Sequence, residues 1–480
     1  MNLPHPQALR DSLIGKLLTW TDMNFLIVKR AGRPAPRTGA RGLATAVALL
    51  SVAWLTGCHG TVQPAERTAQ EQLAKVTRNY RPHGHPPFLP VLTTNATLGD
   101  LLTYALLNHP QVAATYNDWQ ASVNDITVAR SLPDPQFTFQ TDIAEAVTSV
   151  MPGLVQTLPG WGKLKAQAGV AAAASAAKAV AYQTAVLQTA YGVKQSYYQL
   201  WYLEETLKLD REMQRLLVRL EHIARAQNES GQVTLQDVYR AQLEEDRLAT
   251  EIANREDSRT ALLAQYKAAL GYAREQPAPP WPIRWAGPSP DAAMEQLLAT
   301  AYDHNPPLAA MRAEIARAQA ALAVAQTAGR PDVSVGLMAD AKASPVLYRP
   351  LATVTVPLWR DKLKAELMSA EAARQAATNR LAEAQLNLAV AFAEKSYAWR
   401  EVNRNLGVLQ QQLIPKTRRS LEIARSAYLD GKTDFFNLMD TERALLNAQS
   451  DLIAARLQRE LVLAELSLLI AGVPPEVTNP

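Results

Sequence analysis

Residues 332–358 read DVSVGLMADAKASPVLYRPLATVTVPL, and the period of their side chains decides the fold class. Val333, Val335 and Leu337 alternate with Ser334, Gly336 and Met338. Farther on, Ala352, Val354, Val356 and Leu358 alternate with Thr353 and Thr355. A period of two puts each set on its own face of a strand, so 332–340 and 351–358 are predicted as two strands, each with one apolar face. On both sides the period turns helical. Residues 291–328 are rich in Ala, Leu, Arg and Gln and are broken only at Asn305-Pro306-Pro307. Between 361 and 428, Leu363, Ala370, Ala377, Ala384, Ala391 and Ala398 recur every seven residues, and Leu367, Leu381, Leu388 and Val402 supply the other seam position. This is a heptad pattern whose alanines let helices approach closely.

The same order of patterns occurs twice. At a shift of 196 residues Ala105, Pro110, Ala114, Val128, Ala129 and Pro135 fall on Ala301, Pro306, Ala310, Val324, Ala325 and Pro331; at 198 Pro159 and Trp161 fall on Pro357 and Trp359; at 200 Gly231 falls on Gly431. So slow a drift means one structural unit present as two copies, 97–275 and 291–473, joined by a Pro-rich linker at 276–290. In the first copy Phe137 and Phe139 oppose Gln136, Thr138 and Gln140. The partner strand, 154–159, fits less well, because Gln156 falls on the expected apolar face. The long helix predicted at 162–228 has 67 residues and would run about 100 Å. Its neighbours at 97–130 and 234–270 are about half as long, so two short helices stacked end to end can pair with one long one in a coiled-coil rod. Both long helices stop at a glycine turn, Asn228 to Gly231 and Asp430-Gly431. Thr234 and Thr433 stand ready to cap the next helix in each copy, with Asp434 as the alternative cap in the second.

Composition limits the rest. The chain has 480 residues, 48% hydrophobic and 20% charged, with a single Cys, so neither a disulfide framework nor a CxxC metal or redox site holds it together. The formal charge of +4 belongs to residues 1–57, which hold seven Lys and Arg against two Asp. The remaining chain is nearly neutral, which argues against a nucleic-acid partner. Residues 43–55, LATAVALLSVAWL, follow a basic stretch and are too short to span a bilayer, so 1–57 is read as a signal peptide, with Met23 as a possible true start. The run ends Leu55-Thr56-Gly57-Cys58. This is similar to a bacterial lipoprotein box, which implies a covalent lipid on Cys58, no other cofactor, and a lipidated linker at 58–96. The resemblance also implies outer-membrane rather than inner-membrane retention, because His59 and not Asp follows the cysteine.

Four short strands with one apolar face each cannot make a soluble core by themselves. Closing a barrel removes their edges, and apolar-out, polar-in alternation over about 8 to 10 residues suits a transmembrane barrel. Eight strands leave no aqueous lumen, so the next multiple of four is twelve, built from three chains. Trp161 and Trp359 fall where strand gives way to helix, the depth of an interfacial aromatic belt. The fold class expected is therefore mainly α with a small transmembrane β part: a tandem-repeat protomer of long coiled-coil helices and four strands that forms a homotrimer.

Over 97–473 the sequence resembles the TolC-type outer-membrane efflux channel family. The resemblance is carried by the tandem repeat, the Asn108-His109-Pro110 and His304-Asn305-Pro306 openings, the Pro159-x-Trp161-x-Lys163 and Pro357-x-Trp359-x-x-Lys362 junctions, and the two Gly turns. It implies a trimeric 12-stranded barrel continuing into a periplasmic α-helical tunnel, the exit duct of a tripartite pump with a periplasmic adaptor and an inner-membrane pump. Cys58 and the junctions look closest to the subgroup serving resistance-nodulation-division pumps for heavy-metal cations, with drugs the other cargo class. The resemblance further implies a closed periplasmic tip ringed by acidic residues. Counting six and nine residues past each glycine gives Asn437 and Asp440 in the second copy, Asp237 and Arg240 in the first; Asn437 departs from the usual Asp. Arg240 would latch the closed state, and the turns holding Gly231, Thr234, Gly431 and Asp434 would meet the adaptor.

No enzyme is expected. The chain has no GxxxxGK[ST], GxGxxG, HExxH or GxSxG motif, and His83-Gly84-His85, among prolines, is read as surface linker and not as a metal site. Two other readings compete with an efflux duct: a lipid-anchored periplasmic coiled-coil scaffold without a pore, and a channel for type I protein secretion.

Overall fold

The computed structural model describes residues 62–81, 88–143, 147–231, 233–273, 275–277, 279 and 294–471. The leader, Cys58, the His83-Gly84-His85 tract, most of the 276–290 linker and the tail at 474–480 lie outside the described residues. The elements in chain order are α1 (Pro64–Tyr80), α2 (Leu98–Asn108), α3 (Pro110–Arg130), β1 (Gln136–Ile143), β2 (Val147–Leu158), α4 (Lys163–Glu229), α5 (Leu235–Ala269), α6 (Met294–His304), α7 (Pro306–Thr327), β3 (Asp332–Asp340), β4 (Leu347–Thr355), α8 (Arg360–Val408), a π-turn (Leu409–Leu413), α9 (Ile414–Leu429) and α10 (Phe435–Leu469). The order helix, strand pair, long helix, glycine turn, helix therefore occurs twice, and the fold is mainly α with one small sheet.

Several boundaries differ from the sequence reading for identifiable reasons. The predicted helix at 97–130 is two helices, because Pro110 and its neighbours interrupt the backbone ladder and His109 takes an extended conformation. The segment 58–96, read as linker, contains α1. The predicted helix at 361–428 is broken by a π-turn: Ile414 N–H reaches back to Leu409 O, and Pro415 has no N–H to continue the ordinary pattern. The strand placed at 154–159 begins at Val147, and the one placed at 351–358 runs instead from Leu347 to Thr355.

The chain divides into two compact units. One comprises the sheet with α1, most of α3, the start of α4, α7 and the start of α8; the other holds the remaining helices, including both glycine turns. In the first unit the four strands form one antiparallel sheet in the order β1-β2-β3-β4, so the two repeats meet at the central β2–β3 pair. In the second unit Leu388 and Val402 of the expected heptad are buried, but the other seam position is held by Phe392 and Trp399 and not by Ala391 and Ala398, which are partly buried; Leu406, with Leu409 of the π-turn, continues the stripe. Each repeat's opening helix packs near the end of its closing one. Leu101, Tyr104 and Ala105 of α2 share a core with Val193, Tyr197 and Leu200 of α4 and Tyr266 of α5.

Candidate functional site

The first candidate surface is the sheet. Its register places Phe137 opposite Leu154, Leu154 opposite Leu337, Val335 opposite Ala352 and Val333 opposite Val354, so the apolar alternation of all four strands falls on one face. That face is uncovered: Phe137, Phe139, Leu154, Leu337 and Val354 are each about half exposed or more. Gln156, a polar residue on this face, is buried, and its Nε2 donates to Pro133 O at 2.7 Å and to Thr157 O at 3.0 Å, which meets the amide's hydrogen-bonding need. The opposite face carries Gln136, Thr138, Gln140, Thr157, Ser334, Thr353 and Thr355, together with Met151, Val155 and Met338, which are buried. Thr157 and Ser334 hydroxyls lie 3.0 Å apart there. Within the sheet, β1 and β4 each have a free edge.

All four connections to helices leave one end of the sheet, where the strands begin at Gln136 and Asp332 and end at Leu158 and Thr355. Trp161 and Trp359 stand here, 73% and 78% exposed. The Arg330 guanidinium lies 5.8 Å from the Trp161 ring centroid and donates to Trp161 O. Asp332 Oδ1, at the start of β3, accepts from Gly160 N at 2.7 Å and Lys163 Nζ at 2.8 Å, which ties the second repeat to the strand-to-helix corner of the first. A cleft of about 520 Å³ beside this corner is lined by Lys163, Gln167, Thr327, Trp359, Lys362 and Glu366.

The second candidate surface is the pair of glycine turns. Gly231 and Gly431 both take positive φ, 73° and 69°, the conformation for which glycine carries no steric penalty. Gly431 N–H donates to Tyr428 O and Lys432 N–H to Ala427 O, closing α9. After the first turn, Thr234 and Asp237 form a capping box: Asp237 Oδ2 accepts from Thr234 N at 3.3 Å and Thr234 Oγ1 at 3.1 Å. After the second turn Asp434, not Thr433, is the cap, accepting from Asn437 N at 2.9 Å. The Asn437 amide donates to Thr433 Oγ1. Arg240 pairs with Asp237 on its own helix at 3.6 Å, and its guanidinium lies 5.6 Å from the Phe436 ring centroid. Phe436 is one helical turn before Asp440, and Asp440 is exposed with no ion pair among the described residues.

The two turns are packed together. Leu220 and Ala224 of α4, Val238 and Ala241 of α5, Ala424 and Tyr428 of α9, and Phe435 and Leu438 of α10 form one buried cluster. The Tyr428 hydroxyl donates to Gln227 Oε1, and burial together with the Asp237 charge pushes its pKa up. Arg443 of α10 pairs with Glu244 of α5. Glu221, buried on α4, accepts from Arg225 and Gln242, and these bonds hold its carboxyl below the ordinary range. The paired Asn-His-Pro and His-Asn-Pro motifs, which in the sequence serve only as markers of the repeat, have a structural role. Asn108 Nδ2 donates to Gly271 O at 2.9 Å and Asn305 Nδ2 to Leu469 O at 3.0 Å, so each repeat's first helix is bonded to the end of its last. Among the described residues, no group of three His, Cys, Asp or Glu is placed to hold a metal ion.

Residues 297–472 match the family described as outer membrane efflux protein. Among solved structures the chain is similar to CusC, described for the conformational changes accompanying folding and transmembrane channel formation, at 16% identity and TM-score 0.66 over 80% of this chain and 97% of that one. It is similar to the outer membrane protein VceC of Vibrio cholerae at 17% identity and TM-score 0.65, covering 79% of this chain and 97% of the other. The open state of the MtrE outer membrane channel of Neisseria gonorrhoeae gives 15% identity and TM-score 0.65 over 82% and 99%. No curated protein matches the chain.

Proposed function

We propose that the protein is a passive outer-membrane efflux duct made of three copies, a reading supported by the match of residues 297–472 to the outer membrane efflux protein family and by a fold shared with solved outer-membrane channels. The observation that carries this reading is the sheet: four strands with an uncovered apolar face, an opposite face rich in Gln, Thr and Ser, and two free edges. Joining β4 of one copy to β1 of the next closes a 12-stranded barrel, turns the apolar face toward lipid and lines the lumen with Gln136, Thr138, Gln140 and Thr353. Uncovered apolar positions on α8, such as Leu386, Val390 and Tyr397, are then available to neighbouring copies in a helical tunnel.

On this reading Cys58 is acylated and the protein is a lipid-anchored resident of the outer membrane that extends into the periplasm. Trp161 and Trp359 mark the lipid interface. The glycine turns form the periplasmic tip. An adaptor meets Gly231, Thr234, Gly431 and Asp434, and an inner-membrane pump supplies the energy. Three Asp440 carboxylates face the aperture, Arg240 and Asp237 brace its rim, and Asn437 replaces one acidic ring with amides. Such a ring attracts cations, which fits heavy-metal cations or cationic drugs as cargo.

Planar-bilayer recording tests this. The purified protein is expected to give discrete conductance steps with cation preference, and Asp440→Lys to lower that preference. An inserted protein that gives no conductance would overturn the duct, and an unchanged preference in the variant would remove Asp440 from the aperture.

A further inference from the structure

Helix α1 is mostly polar, and only Glu66 and Tyr80 are buried along it. Glu66, Leu73 and Tyr80 are seven residues apart and share a face, so a carboxylate occupies a seam position where an apolar side chain is expected. Glu66 is 0% exposed. A carboxylate removed from water to this extent requires partners, and it has them. Thr127 Oγ1 donates to Glu66 Oε1 at 2.8 Å, and Arg130 Nε lies 2.6 Å from Oε2. At the far end of α1, Arg81 Nη1 donates to Asn117 Oδ1 at 3.2 Å. The helix therefore lies antiparallel along α3, with its first turn beside the last turn of α3.

That last turn leads straight into the sheet. Pro133, three residues after Arg130, offers the carbonyl that Gln156 of β2 bonds at 2.7 Å. Two buried polar contacts thus link the start of α1 to the end of the sheet that carries Trp161 and Trp359. The second repeat has no such receptor: at the repeat shift, Thr127 and Arg130 correspond to Ala323 and Gln326. Among the described residues the Thr127–Arg130 pair therefore has no counterpart at the repeat shift.

We propose that Glu66 is a positioning residue for the membrane anchor: its bonds to Thr127 and Arg130 fix the start of α1 at the helix-proximal end of the sheet, and so fix where the chain preceding Pro64 meets the bilayer. This rests on the reading of the sheet as membrane-spanning. Cys58 is six residues before Pro64, a reach of at most about 22 Å, so a lipid on it would enter the membrane next to its own barrel. A hydroxyl hydrogen bond and an ion pair to the two oxygens of one buried carboxylate set register where an apolar contact would let the helix slide.

Spin labels at Ala65→Cys and Phe137→Cys in proteoliposomes test the proposal, read by label mobility and by accessibility to oxygen and to a nickel chelate. The Ala65 label is expected to be immobile at headgroup depth, and to become mobile and chelate-accessible in Glu66→Ala and in Arg130→Ala, while the Phe137 label stays in lipid in every variant. An Ala65 label already mobile in the parent, or unmoved by both substitutions, would overturn the proposal. A Phe137 label exposed to the chelate would instead overturn the membrane reading of the sheet, and Ala65 mobility would still report on the lock. In a Cys58→Ala background the Ala65 label is expected to stay immobile, because the protein contacts and not the lipid hold α1; its release there would overturn the proposal.

Discussion

Asn305 Nδ2 donates to Leu469 O at 3.0 Å, joining residues 164 apart at the opening and close of the second repeat. Its Oδ1 accepts from Leu308 N at 3.2 Å, and the side chain is 2% exposed. Asn305→Leu leaves both a buried N–H and a buried C=O without their partner, which should cost about 1–3 kcal/mol. Asn108→Leu, at the more exposed counterpart, should cost less. Urea unfolding of the two variants in parallel checks both the size and the order.

At Gly431 an added Cβ would meet nothing within 4 Å, so substitution there is penalised by backbone conformation alone. Gly431→Val should destabilise the protein by about 1–2 kcal/mol, and Gly431→Asn by less, because Asn tolerates positive φ. The same ranking is expected at Gly231, which has the same open surroundings. Thermal midpoints of the four variants test this.

Glu442 is buried on α10, and burial raises its pKa above the ordinary glutamate range against the opposing charge of Arg425. The folded state then holds this proton more tightly than the unfolded chain, so the contribution to stability is full below the ordinary range and is lost as pH rises through the raised value. Glu442→Gln cannot lose a proton. The variant should gain on the parent in stability as pH rises from about 4 toward neutrality. Urea midpoints measured across that range should converge at the acid end; a constant offset would show that Glu442 does not titrate there.

Pro415 is the second residue of α9, directly after the π-turn, and its missing N–H prevents the ordinary helical bond to residue 411. Pro415→Ala should allow an uninterrupted helix and stabilise the protein by up to about 3 kcal/mol. A crystal structure of the variant with the π-turn intact would show that another residue imposes it.

The elements with a long, regular period are legible in the sequence. The 67-residue α4 is displaced by one residue from its expected span, and the apolar alternation on β3 places Val333, Val335 and Leu337 on one face, as its period of two requires. The glycine turns are legible because positive φ leaves so few alternatives. Features that depend on a distant partner are not. The first half of β2, from Val147 to Pro152, pairs with β1 alone and shows no clean alternation, with Met151 buried on the face that carries the polar residues; from Gly153, which lies under Met338, the strand pairs with β3 of the other repeat. Helix α1 escapes a reading of the sequence because its seam begins with Glu66, a residue that makes sense there only once Thr127 and Arg130 are beside it. Asn108, Asn305 and Gln156 are amides with acceptors as far as 163, 164 and 23 residues away, a range at which local pattern carries no information. At the turns, Asp434 is legible as a cap but not its precedence over Thr433, and the part of Asp237 in a capping box and the use of the Asn437 amide on Thr433 emerge only with the backbone in place.

The claim that three copies close one barrel is tested most directly by native mass spectrometry of the detergent-extracted full chain, released from its micelle. A single species of three chains, resistant to dilution, is expected, since each protomer leaves two sheet edges and an apolar face that only its neighbours and lipid can cover. A monodisperse single chain that stays folded without detergent would contradict the account.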